Sequence, residues 1–163
     1  MKGVNIMEKN DISFSIDKTK FNFRVACIIE KDGVVLLLKK KQDDFWNLLG
    51  GRLKCMETCE EAIKRELKEE LGATCDNVKL ISVCENYFEF GGSDFHEMLV
   101  LYKVQLTAGI DNENIEDKIE IKWFNKDELD NIEIKPEFVK KLLLNGEDNF
   151  EWIVNNEIDN ENK

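Results

Sequence analysis

The chain has 163 residues, of which 42% are hydrophobic and 35% charged, and its net charge is −11. That length suits one domain with a proper core and is too short for two comfortable ones. The acidity argues against an extended nucleic-acid backbone as partner, which needs clustered Lys and Arg, but not against a phosphate substrate, because bound divalent cations invert the local field.

In chain order, residues 1–20 are polar and weakly patterned, an extension or a leading edge strand. Phe21 to Glu30 is strand-like, Asp32-Gly33 is a hairpin turn signal, and Val34–Lys39 is a second strand. Lys39-Lys40-Lys41 makes a basic island, read as a solvated edge or as a group near phosphate. Phe45-Trp46 leads into Gly50-Gly51, and core or rim packing is the simplest role for both aromatics.

A helix follows. Thr58 with Glu61 three residues on is a capping box, and Gly72 stands where a left-handed residue commonly ends a helix. Ile63, Leu67 and Leu71 recur every fourth residue and give one apolar stripe. Glu60 precedes Lys64, and Glu61 precedes Arg65, in the favourable acid-before-base order. Glu66 instead has Glu69 and Glu70 at those spacings, and the last turn of a helix disfavours negative charge. Arg65 can offset Glu69 but not the whole group. Helical spacing lets Glu66, Glu69 and Glu70 converge on one side, where a hard cation such as Mg²⁺ or Mn²⁺ would relieve their repulsion. A solvated acidic face is the plainer alternative. The two glycines upstream favour the cation, since they let a main-chain carbonyl approach a bound ion.

Val78–Phe90 and Phe95–Leu106 read as long strands joined by a loop at Gly91–Asp94. His96 is the only histidine and is expected to be structural. Gly109–Lys118 is an acidic loop, Ile119–Phe124 another strand, Lys126–Leu129 a short helix, and Pro136–Leu144 a closing helix with Pro136 in its first turn. The tail keeps Phe150, Trp152 and Ile153 and is expected to dock, then fray through 155–163. The elements suit an α+β or three-layer α/β/α arrangement, a mixed sheet between helices, in one domain over 21–154.

Five cysteines (Cys27, Cys55, Cys59, Cys75, Cys84) and no apolar run of signal or membrane length in the sequence imply a reduced, cytoplasmic setting and no membrane. Cys55 and Cys59 are too few for a structural zinc site.

Gly51, five residues, Glu57, seven residues, Arg65-Glu66-Leu67, one residue, Glu69-Glu70, one residue, Gly72 and an apolar residue: this pattern resembles the Nudix box. Two positions depart from it. Leu49 stands where many members have proline before the glycines, and Ala73 is smaller than the usual final aliphatic residue. Neither removes a ligand. The resemblance implies a Nudix-like mixed sheet between helices and hydrolysis, with Mg²⁺ or Mn²⁺, of a nucleoside diphosphate linked to another moiety. It places Glu66, Glu69, Glu70 and the carbonyl of Gly50 around the metal, with Glu66 or a glutamate outside the box as general base and Arg65 orienting the cluster through Glu57 or Glu69. Glu57 is either a distant ligand or a structural partner. The resemblance also implies a further carboxylate before the tryptophan-bearing strand, with Glu116 and Glu120 as candidates.

The competing reading is a Nudix-type module that binds a nucleotide or a partner without turnover, which the intact acidic set disfavours. A third, an acidic interaction protein, would bind no nucleoside diphosphate. Trp46, Tyr87, Phe88 and Phe95 either stack on a base or fill the core. ADP-ribose, a nucleotide sugar, a damaged nucleoside triphosphate and a dinucleoside polyphosphate all fit the chemistry. Oligomeric state is not encoded in these patterns.

Overall fold

The computed structural model describes residues 10–110, 119–146 and 149–158. Its axis is one long strand. β2 (Thr19–Lys31) is built from Phe, Val and Ile at alternating positions, and both of its faces are buried from Val25 to Ile29. Strands rich in such residues suit the middle of a sheet covered on both sides. The Asp32-Gly33 turn returns the chain into β3 (Val34–Lys40). β1 (Ser13–Ile16) pairs with the start of β2, so the leading segment supplies an edge strand and β2 begins before Phe21.

β4 (Leu49–Arg52) pairs antiparallel with β2, placing Gly51 opposite Val25 and Gly50 opposite Ala26. α1 (Cys59–Leu71) follows, then β5 (Cys75–Phe90) and β6 (Ser93–Leu106), joined at Gly91-Gly92. β7 (Ile119–Asn125) pairs with β3. A 3-10 turn at Lys126–Asn131 leads toward α2 (Glu137–Asn145), and β8 (Glu151–Asn156) closes the order β7-β3-β2-β6-β5-β8. β2 runs parallel to β6 and β5 parallel to β8, while the other pairs are antiparallel, so the sheet is mixed.

The alternation of β2 splits the core in two. Val25, Cys27 and Ile29 face α1 and pack with Ile63, Leu67 and Leu71. Ala26 and Ile28 face the other way and pack with Leu129, Val139 and Leu143. This is the expected sheet between helices.

Two expectations at the C-terminal end need correction. Pro136 is the N-cap of α2, with an extended ψ of 155°, and not a residue of its first turn. Asn155 and Asn156 belong to β8 and do not fray: the Asn155 side-chain amide donates to Asn86 Oδ1 at 2.7 Å, and the strand pairs with β5 from Ser82 to Tyr87. The start of the expected extension (1–9) and the end of the expected tail (159–163) lie outside the described residues.

Candidate active site

α1 starts and stops where its sequence dictates. Thr58 Oγ1 accepts the Glu61 N–H at 3.2 Å, and Glu61 Oε2 accepts the Thr58 N–H at 2.8 Å. Gly72 closes the helix at φ 61°, a left-handed conformation that glycine adopts without Cβ strain. The buried face carries Ala62, Ile63, Leu67 and Leu71 and, among them, Glu66. One acid is thereby drawn under the helix rather than left in solvent.

What lies under it is β4. A Cβ on Gly51 would overlap the Glu66 carboxylate, so this carboxylate rests on the bare Cα of that residue. One turn on, Glu70 is half-buried. Its charge is close enough to help push the Cys27 thiol pKa up, after burial and Cys75, and Cys27 is the register partner of Leu49. Glu66 thus lies against Gly51, with Glu70 one turn further along the same helix. A set of carboxylates beside a glycine backbone offers only hard oxygen donors, the kind that Mg²⁺ and Mn²⁺ accept.

Arg65 organises the approach to this site. Its Nε and Nη2 donate to the two oxygens of Glu57 at 2.7 and 3.0 Å, a bidentate pairing, and Nη2 also donates to the Arg52 carbonyl at 3.1 Å. Its Nη1 donates to Glu66 Oε1 at 2.5 Å and to Glu69 Oε2 at 3.1 Å. Glu57 accepts in addition the Lys54 N–H at 3.0 Å. The segment before the helix is thus tied to the acids on it. The expectation that Glu66 lacks a partner is corrected here: counting only spacings of three and four misses Arg65, which reaches its immediate neighbour sideways. Among the described residues, no group of three or more acidic, cysteine or histidine side chains closes on a single point, and Arg65 pairs with both Glu66 and Glu69.

The bidentate bond from Arg65 holds the Glu57 carboxyl below the usual carboxylate range, and the same bond raises the Arg65 pKa. A depressed carboxylate contributes stability that is present above its unfolded pKa, about 4.3, and lost as the pH falls through its lower folded value. Glu57→Gln is therefore expected to flatten the loss of stability below about pH 4.3, while lowering stability near neutrality. Urea midpoints across an acid series measure this; an unchanged acid limb would refute it.

The other expected residues lie elsewhere. Glu120, on β7, pairs with Lys39 at 3.2 Å, and Lys39 also stands 4.9 Å from the centre of the Trp46 ring. Glu116 lies outside the described residues. Trp46 is buried and meets Phe124 edge-on at 4.8 Å, so it is core and not a stacking surface. Phe88 and Phe95 stack at 4.9 Å on the α2 face of the sheet, both half-buried. Near them is a group the sequence reading passed over: Glu97 is buried, 3.8 Å from Arg24 and accepting from the Asn86 amide at 3.3 Å. Its position two residues before Leu99 and four before Leu101, both inward-facing, is the signal that would have found it.

A family model, NUDIX domain, matches residues 19–144. Over 48 residues the chain is 52% identical to an ADP-ribose pyrophosphatase of Methanocaldococcus jannaschii, a stretch covering 28% of each protein. It is 31% identical over 135 residues to putative nudix hydrolase 1 of Caenorhabditis elegans, covering 78% of this chain and 33% of that one. The matches thus span a third or less of these two relatives. Among solved structures, a MutT protein from Bacillus halodurans superposes with a TM-score of 0.67 at 22% identity, over 83% of this chain and 91% of that one.

Proposed function

Because this chain belongs to the NUDIX domain family, we propose that it is a metal-dependent hydrolase that cleaves the pyrophosphate linkage of a nucleoside diphosphate joined to another moiety. The observation that carries this reading is the Glu66 carboxylate resting against Gly51, with Glu69 and Glu70 one turn on along the same helix. Glu66, Glu69, Glu70 and the Gly50 carbonyl would hold Mg²⁺ or Mn²⁺, without Glu120, which alternates with Ile119 and Ile121 of the α1-side core and so faces the α2 side with Lys39. When bound, the ion neutralises the diphosphate and lowers the pKa of the attacking water. Glu66, oriented by Arg65 at Oε1, would accept the proton of the attacking water. Glu57 and Arg65 fix where the acids point and are positioning residues.

All five cysteines are free, which supports action in a reducing compartment such as the cytoplasm. No described helix is long and apolar enough to cross a membrane. With a net charge of −11, a small diphosphate suits the chain better than a nucleic-acid polymer.

The test is a panel of diphosphate compounds offered to the purified chain with Mg²⁺ or Mn²⁺, beginning with ADP-ribose because of the relative noted above. Metal-dependent release of a nucleoside monophosphate is the expected result. The alternative is a module that binds nucleotides without turnover, and it draws on the fact that Arg65 already satisfies two of the acids. Calorimetric binding of the panel with no product from any member would establish that alternative.

A further inference from the structure

On the α1 side, the sheet extends well beyond the helix that covers it. Strand register places Phe14 opposite Phe21, Phe21 opposite His96, and His96 opposite Tyr87, so four rings cross β1, β2, β6 and β5 in one row. They touch in sequence, with centroids 5.0, 5.4 and 4.6 Å apart. The row is on the same face as Phe23 and Val25, which α1 packs against, but lies past that contact. Trp152 and Val154 of β8 continue the face, since their register partners Val83 and Glu85 alternate with Tyr87 along β5.

Phe14, Ile16, Trp152 and Val154 are 55%, 64%, 58% and 64% exposed. With aromatic side chains offering 150–250 Å² each, these four expose on the order of 450 Å², and the half-buried rings bring the face to about 600 Å². That is the top of the range for a monomer's largest apolar patch, and with a polar rim it approaches the roughly 800 Å² per partner of a standard interface. The face carries charge at its margins: Glu85 accepts from Trp152 Nε1 at 2.8 Å and from the Tyr87 hydroxyl at 3.2 Å, Asp94 pairs with Lys18 at 3.3 Å, and Glu89 is exposed opposite Asp94. β8 itself, an edge strand, carries neither lysine nor proline, the usual guards of an edge.

We propose that this face packs against the same face of a second copy of the chain, two sheets meeting about 10 Å apart as in a β-sandwich. The contact is isologous, so every exposed ring finds an apolar counterpart across a two-fold axis. It leaves Leu49–Gly51 and the acids of α1 outside the interface, and it is independent of the hydrolase reading.

Sedimentation equilibrium of the intact chain, from micromolar to submillimolar concentration, tests the proposal. A concentration-dependent dimer is expected, strengthened by salt because each copy carries −11. Val154→Lys and Phe14→Lys should each weaken association by roughly tenfold or more. Asn131→Lys makes the same charge change at an exposed position on the 3-10 turn and should leave association unchanged. Far-ultraviolet circular dichroism identifies any variant that fails to fold, and the other then supplies the result. A wild-type chain that stays monomeric throughout, in low and high salt, overturns the proposal. So does a dimer that tolerates either lysine or that Asn131→Lys disrupts equally.

Discussion

Glu70→Gln is expected to lower turnover of a pyrophosphate substrate by on the order of 10²–10³-fold, the usual effect of removing one electrostatic contributor to a developing charge. Glu70 carries an electrostatic cost where it stands. It lies in the last turn of α1, where the helix dipole disfavours a negative charge. Neutralising it removes that unfavourable interaction with the dipole, and the melting temperature, measured alongside turnover, separates a loss of chemistry from a loss of fold. Glutamine keeps the shape and one acceptor oxygen while removing the charge a divalent ion would need. Activity falling as stability holds is the signature of a residue kept for chemistry. Full turnover with Glu70→Gln, at any Mg²⁺ concentration, would remove it from the metal set.

The two glycines of β4 should fail in different ways when each is replaced by alanine. A Cβ on Gly50 would overlap the Val25 carbonyl oxygen and stand 2.7 Å from the Ala26 Cα. Both neighbours are backbone atoms of the central strand, so nothing there can swing aside. Gly50→Ala should cost about 3 kcal/mol or more, at the upper end of overpacking effects, and melt the protein early. The three atoms nearest a Cβ on Gly51 all belong to the Glu66 carboxylate, the far end of a side chain. Gly51→Ala should cost about 1–2 kcal/mol but displace Glu66, so activity falls while most of the fold survives. Denaturant midpoints and turnover, measured on both variants, separate the two cases. Equal losses of stability would show that the Glu66 contact is as rigid as the strand.

What could be read in advance, and what could not, follows from the range of the forces involved. α1 was legible to the residue because its capping box and Gly72 are local signals. β2, β3, β5, β6 and β7 were legible through alternation and turn residues, although their limits moved by a few positions. β8 was not, because a parallel partner far away in sequence leaves no local trace; Asn155 and Asn156 look like tail until Asn86 is beside them. β4 was missed for the opposite reason: Gly50 and Gly51 argue locally against a strand, and only the close approach of β2 and Glu66 explains them. At the site, the grouping of acids on one helix could be read from spacing. The roles of neighbours could not. Lys39 and Glu120 meet only because β3 and β7 pair, and the burial of Glu97 depends on which face of β6 meets the core.

Arg65 holding Glu66 and Glu69 has one more implication. One guanidinium is shared by Glu57, Glu66 and Glu69, so it aligns these acids without neutralising all of them. A divalent ion taken up by Glu66 or Glu69 would compete with that tethered cation.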